Sequence, residues 1–291
     1  MHDMNVKDCL EQLNDESDAQ DVQILLAHVI ERPRTWLLAH LDTPLTPPQL
    51  AAANEAFRHL QAGTPLPYII GHWEFFGLDL EVTKDVLIPR PETELLVEKA
   101  IVWLQASPQK KLAADIGTGS GAIAVALAEH VPDVHILATD ISSAALEVAK
   151  RNAKKFQVEG RIDFMECDLL PDDARRTTNR ASSSVVRGPS SIDLICANLP
   201  YIPTEIMRGL PIYGREPTVA LDGGADGLVL YRRLFKLTPV WLAPHGKMLL
   251  EIEASLGPQS LSLAQDTFPQ AAVHLHQDLT GRDRLLEIIF P

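Results

Sequence analysis

From about residue 92 to the end, the chain alternates short apolar runs with longer stretches of helical apolar period. The runs are KLAADIG, VHILATD, RIDFMECD, SIDLICAN, KMLLEIE, AAVHLHQD and RLLEIIF. Helical stretches such as SGAIAVALAEHV, SSAALEVAKRNAKKF, GLVLYRRLFKLTPVWL and PQSLSLAQDTF lie between most of them. Runs of this length read as buried strands, and parallel strands can be joined only by crossovers, which here are helices. This rhythm therefore predicts an α/β fold: a seven-stranded, mostly parallel, doubly wound Rossmann-like sheet with helices on both faces. The last two runs have little between them, which predicts an antiparallel hairpin at one edge.

The first part of the chain lacks this rhythm. Residues 1–68 read as a small helical bundle. Asp18 or Ser17 can cap a helix through VQILLAHVI, Thr46 with Pro47 can open another through LAAANEAFRHLQ, and prolines punctuate the connections. In HWEFFGLDLEVT, Phe76, Leu78, Leu80 and Val82 alternate with Gly77, Asp79 and Glu81, so residues 69–85 read as a linking β-hairpin. Residues 86–291 form the main domain. Within it ARRTTNRASSSVVRGPSS (174–191), with four Arg and no acid, reads as a flexible surface insertion, with a basic contact for a partner as the alternative. A length of 291 residues fits two domains.

Composition narrows the function classes. Hydrophobic residues are 46% and charged residues 22%, as in soluble globular proteins. No apolar run reaches the roughly 18 residues a membrane span needs. The acidic start MHDMNVKDCLEQLNDESD lacks the pattern of a signal peptide, and a cytoplasmic protein is expected. A net charge of -13 weighs against a nucleic-acid substrate, because phosphate binding needs a basic surface. Cys9, Cys167 and Cys196 are too dispersed for a disulfide framework or a zinc site; buried thiols and no metal are expected.

The chemistry gathers at strand ends. DIGTGSGAIA (115–124) follows a strand and opens a helix. Gly117, Thr118, Gly119, Ser120 and Gly121 make a loop where ligand and backbone can approach closely; a tight turn needing glycine for geometry alone is the plainer reading. The spacing is G-x-G-x-G, not the G-x-G-x-x-G of dinucleotide sites. Asp140, ending the second strand, can accept from both hydroxyls of a ribose, or else simply cap the helix that follows. Asp168 is placed at the end of the third strand, where its neighbourhood can take the exocyclic amine of an adenine while Leu169 packs on the base. The fourth strand ends in Asn198-Leu199-Pro200-Tyr201.

The order Gly loop, acid, acid, N-x-P-Y resembles the class I S-adenosylmethionine methyltransferases, and within them those that methylate amide or amino nitrogens. Such a nitrogen is a poor nucleophile because its lone pair is delocalised. An Asn side-chain oxygen and a backbone carbonyl can accept its two N–H bonds, and this acceptance strengthens as the nitrogen becomes cationic. Leu199 stands where N-P-P-Y has its first proline; a backbone carbonyl does not depend on side chain.

LPYIIGHWEFFGLDLEV, VLIPRPETELLVEKA, YGREPTVALDGGADGLVLYRRL and DLTGRDRLLEI then resemble, over nearly the whole chain, the HemK/PrmC family of peptide chain release factor glutamine methyltransferases. The resemblance implies S-adenosylmethionine as cofactor, class I release factors as partner, and the GGQ glutamine side-chain nitrogen as acceptor. It implies that Asn198 and the Leu199 carbonyl hold the amide, with Pro200 and Tyr201 shaping the slot. Gly117 to Gly121, Asp140, Asp168, Leu169 and Asn198 would line the cofactor, and the N-terminal bundle would recognise the protein substrate. Arg90 and Glu92 would shape the pocket or form an ion pair, and Glu216 with Pro217 would order a loop. An adenine-N6 or other nucleic-acid amino-methyltransferase is the rival with the same N-x-P-Y chemistry. A protein that binds the cofactor without turnover and a dinucleotide oxidoreductase are further rivals; Asn198 and the glycine spacing disfavour them.

Overall fold

A computed structural model describes residues 4–14, 18–106, 112–171 and 191–291. The insertion expected over 174–191 lies outside the described residues except for Ser191. The chain divides into two compact units, Met1–His72 and Trp73–Pro291.

The first unit contains α1 (Val6–Asn14), α2 (Ala19–Val29), α3 (Arg34–Ala39), α4 (Pro47–Gln61) and α5 (Leu66–Ile70). Asp18 caps α2 by accepting from the Gln20 N–H. Thr46 and Gln49 close a reciprocal capping box at the start of α4, satisfying N–H groups that a helix leaves unpaired. Val22, Leu26, Leu37, Ala53 and Phe57 form the core of the bundle.

β1 (His72–Phe75) and β2 (Leu78–Glu81) form a hairpin. Phe76 and Gly77 both have positive φ, 52° and 74°, the two-residue turn whose twist suits a hairpin. Phe76 is therefore in the turn and not in the alternation expected of it; Leu78, Leu80 and Val82 do face inward.

The second unit continues with α6 (Glu94–Gln105), β3 (Leu112–Ile116), α7 (Ala122–His130), β4 (His135–Asp140), α8 (Ser143–Lys155), β5 (Ile162–Glu166) and β6 (Ile192–Ala197). It ends with α9 (Thr204–Met207), α10 (Val229–Trp241), β7 (Leu242–Glu251), α11 (Gly257–Thr267), β8 (Ala272–Gln277) and β9 (Asp283–Ile289). The seven strands lie in the order β5-β4-β3-β6-β7-β9-β8. The first five are parallel, and β9 runs antiparallel to both β7 and β8, as the closing hairpin required. Strand period divides the core in two. Ala113, Leu194 and Cys196 face the side of α6 and α7, while Ala114, Ile195 and Ala197 face the side of α10 and α11. Strand order reverses between β3 and β6, and crevices of open α/β sheets form at such a point, beyond the carboxyl ends of the strands.

Candidate active site

The loop after β3 and the loop after β6 meet at this reversal. Gly117 has φ +73°, and a Cβ there would lie 3.2 Å from Leu199 Cδ2. The Leu199 side chain, 3% exposed, thus packs on the glycine loop and sets the two motifs side by side.

Within the loop, the N–H groups of Gly117 and Thr118 both donate to the Thr139 carbonyl, at 2.9 and 2.8 Å, and Gly119 N–H donates to Asp140 Oδ2 at 2.8 Å. These donors are spent inside the protein, so the loop is not a nest for phosphate. The side chains of Thr118 and Ser120 are buried, so a ligand at these two positions would meet backbone. Thr118 Oγ1 donates to Asp115 Oδ2, which also accepts from Ala124 N–H. Gly119, at φ +55°, has nothing within 4 Å of a Cβ position, which marks the open side of the loop.

Asp115 escaped the sequence reading although it begins the glycine motif. It is fully buried, and burial pushes its carboxyl up to about 7 against the pull of its Thr118 and Ala124 donors. Its Oδ1 has no hydrogen-bond partner among the described residues. Asn152 was missed too, because a polar residue inside a helical pattern carries no signal of its distant partners. From α8 it donates to Ser120 O and Glu81 O and accepts from Glu81 N–H, tying the glycine loop to the hairpin.

Asp140 accepts from Gly119 N–H through Oδ2 and from Ser142 N–H through Oδ1. The cap of α8 is Ser142, so Asp140 bridges two strand ends instead of serving one helix. Burial raises its carboxyl, against the pull of backbone donors at Ser142, Gly119 and Ile141. β5 ends at Glu166, so Asp168 lies past the strand, not at its last residue. It is exposed and paired with Arg233 at 2.5 Å. Leu169 has φ +67° and is 7% exposed; its side chain belongs to the core, and its carbonyl accepts from Thr139 Oγ1.

Asn198 follows β6 directly. Its Nδ2 donates to Thr93 Oγ1 at 3.1 Å. Thr93 Oγ1 donates to Glu251 Oε2, and Tyr201 OH reaches Glu251 Oε1 at 3.4 Å. Tyr231 OH donates to the Glu251 carbonyl and also meets the Leu199 backbone. Glu251 is 2% exposed, and burial pushes its carboxyl up to about 7. Burial next to Glu251 also raises the Tyr201 phenol, so Tyr201 stays neutral. The loop is held from its other side by the LDGG segment: Ile202 N–H donates to Leu221 O, and Gly223 N–H to Ile202 O.

Arg90 pairs with Glu216 at 2.5 Å, and Glu216 Oε2 also accepts from Ile88 N–H. The IPRPE and GREP segments are therefore joined through a buried carboxylate. Glu92 is 4.0 Å from Arg284. Cys9 and Cys196 are buried, whereas Cys167 is only half-buried. Among the described residues no cluster of metal-binding side chains occurs, and no helix is long and apolar enough to cross a membrane.

The family model of the PrmC N-terminal domain matches residues 5–71, and that of the methyltransferase small domain matches residues 92–180. The release factor glutamine methyltransferase of Moorella thermoacetica is 39% identical over 265 residues, covering 91% of this chain and 88% of that protein. Its counterpart from Cereibacter sphaeroides is 38% identical over 275 residues, covering 94% and 91%. The solved catalytic domain of human Mettl16, in complex with a MAT2A 3′UTR hairpin, has a similar fold, with TM-score 0.52 at 15% identity, over 84% of this chain and 83% of that one. With both domains matched in order and relatives this similar along nine-tenths of their length, the chain belongs to the release factor glutamine methyltransferase family.

Proposed function

We propose that this protein transfers the methyl group of S-adenosylmethionine to the side-chain nitrogen, N5, of the glutamine in the GGQ motif of class I peptide chain release factors. The observation that carries this reading is the contact of Leu199 with Gly117, which brings an amide-holding loop to a cofactor loop at the switch point. The relatives named above supply the class of acceptor.

The residues present fit the cofactor. The N–H groups of Gly117, Thr118, Gly119 and Gly121 are spent inside the protein, while Asp115 Oδ1, unpartnered among the described residues, and the carboxylate of Asp140 suit a ligand that carries an ammonium, a sulfonium and ribose hydroxyls. The backbone of Gly117–Gly121 would pass along the methionine part, Asp140 would accept from the ribose, and the Asp168–Leu169 segment would border the adenine. S-adenosylmethionine supplies an electrophilic methyl group.

The protein supplies position and polarity. Asn198 Oδ1 and the Leu199 carbonyl accept the two N–H bonds of the glutamine amide and hold its nitrogen in line for transfer. These acceptors favour the state in which the nitrogen gains positive charge. Pro200 limits the motion of the loop, and the neutral Tyr201 ring borders the planar amide. No strong base is needed if the proton leaves after transfer. The N-terminal unit, with Leu38 44% and Leu41 36% exposed, is the candidate surface for the release factor. The buried thiols of Cys9 and Cys196 suit a cytoplasmic setting.

Transfer of labelled methyl to a purified release factor, beside the same factor with its GGQ glutamine changed, tests the reading. Label on the first alone is expected. Label on RNA or DNA instead would overturn it.

A further inference from the structure

Asn198 must present its oxygen, not its NH2, to a glutamine amide, since the acceptor nitrogen brings only N–H donors to the contact. A carboxamide can flip with little change of shape, so something has to choose the orientation. The buried chain from Glu251 through Thr93 to Asn198 makes that choice. Thr93 has one hydroxyl proton, and it goes to Glu251 Oε2. Its oxygen is then left as an acceptor, and the Asn198 atom that meets it at 3.1 Å must be Nδ2. Thr93 is 4% exposed and Glu251 2% exposed, so water does not compete for these bonds.

We propose that Thr93 and Glu251 are positioning residues that fix the amide of Asn198 with Oδ1 toward the acceptor nitrogen, so that the ionised carboxylate of Glu251 sets the polarity of the catalytic loop. This rests on the role given to Asn198 above. Neither residue touches substrate; each acts through the next. The direction of the chain depends on ionisation. A protonated Glu251 could donate to Thr93 Oγ1, whose own proton would then seek Asn198 Oδ1 and turn the amide over. The groups around the carboxylate are Glu92 and Thr93 from the turn before α6, Tyr201 from the catalytic loop, Tyr231 from α10 and Arg284 from β9. Burial holds the Glu251 carboxyl up near 7, with Glu92 pushing the same way and Thr93, Arg284 and Tyr201 opposing. The switch in polarity thus falls near pH 7.

Steady-state methylation of a purified release factor by N198A, T93V, T93S and E251Q, with S-adenosylmethionine affinity measured on each, tests the proposal. T93V should lower kcat about 10- to 100-fold with unchanged cofactor affinity, since it removes the hydroxyl and keeps the shape. T93S restores the hydroxyl and should recover most of kcat. Wild type should lose kcat as pH falls below about 7, and E251Q, which cannot ionise, should lose that acidic limb. Near-normal kcat in T93V beside an inactive N198A would overturn the relay while leaving the role of Asn198 intact. Equal loss in T93V and T93S, or an unchanged acidic limb in E251Q, would also overturn it. Near-normal turnover in N198A would remove the underlying reading itself. Should T93V not fold, T93S and the pH profile of E251Q decide.

Discussion

The carbonyl oxygen of Tyr201 lies 2.3 Å from where a Cβ on Gly227 would stand. Gly223 is as confined, with Tyr201 Cα and C each 2.7 Å from its Cβ position. The DGGADG segment therefore packs backbone against backbone on the NLPY loop. Gly227→Ala combines that overlap with a φ of +79°. Overpacking and left-handed strain together should cost at least ~2 kcal/mol of stability. Gly281→Ala, at φ +78° with nothing within 4 Å, isolates the φ effect and should cost about 1 kcal/mol. Urea unfolding of both compares them; equal losses would show that the contact with Tyr201 carries no weight.

Asn198 and Asp140 sit at ends of different strands and should fail differently. Asn198→Ala should reduce turnover by about 10²–10³-fold, the scale for losing one preorganised polar partner, and leave cofactor binding nearly unchanged. Asp140→Ala should weaken cofactor binding, both by removing the proposed ribose acceptor and by releasing the N–H groups of Gly119 and Ser142. Calorimetric titration with S-adenosylmethionine separates the two. Unchanged affinity in the Asp140 variant would show that the ribose lies elsewhere.

Removing Arg90 would leave Glu216 buried with, among the described residues, the Ile88 N–H as partner. Arg90→Ala should cost roughly 1–3 kcal/mol, the range for stranding a buried polar group. The double variant Arg90→Ala with Glu216→Gln should recover part of that loss, because the stranded charge is gone. No recovery would mean that packing of the arginine stem, not its charge, holds IPRPE to GREP.

Two buried acids make stability fall as pH rises. Asp115 and Glu251 both hold their protons to about 7, whereas unfolded Asp and Glu release them near 4. Between those limits the folded chain binds more protons than the unfolded one. Each group then lowers stability by up to about 1.4 kcal/mol for each pH unit of increase, with no contribution below the window or above it. Asp115→Asn should make the slope shallower between pH 5 and 7 in unfolding measured by urea. An unchanged slope would show that Asp115 is ionised in the folded protein across this range.

The alternation of apolar runs with helical periods determined the α/β class, the parallel strands and the antiparallel closing pair, because period and length are local properties that burial on two faces imposes on any such chain. The glycine loop and NLPY were legible for the same reason: each is a short segment whose residue types suit its own backbone. Boundaries that depend on packing were less so. Phe76 took the turn of the hairpin, and β5 stopped at Glu166, short of Asp168. What only the tertiary structure decided is which distant groups share a proton or a donor. Thr93, Asn198 and Glu251 come from three separate segments, and nothing in any one of them signals the other two. Asp115 reads as a strand residue and Asn152 as a helix residue until the sheet brings each to the glycine loop. Hydrogen bonds between buried side chains are satisfied by whatever the fold places within 3 Å or so, and that placement belongs to the whole chain, not to any stretch of it.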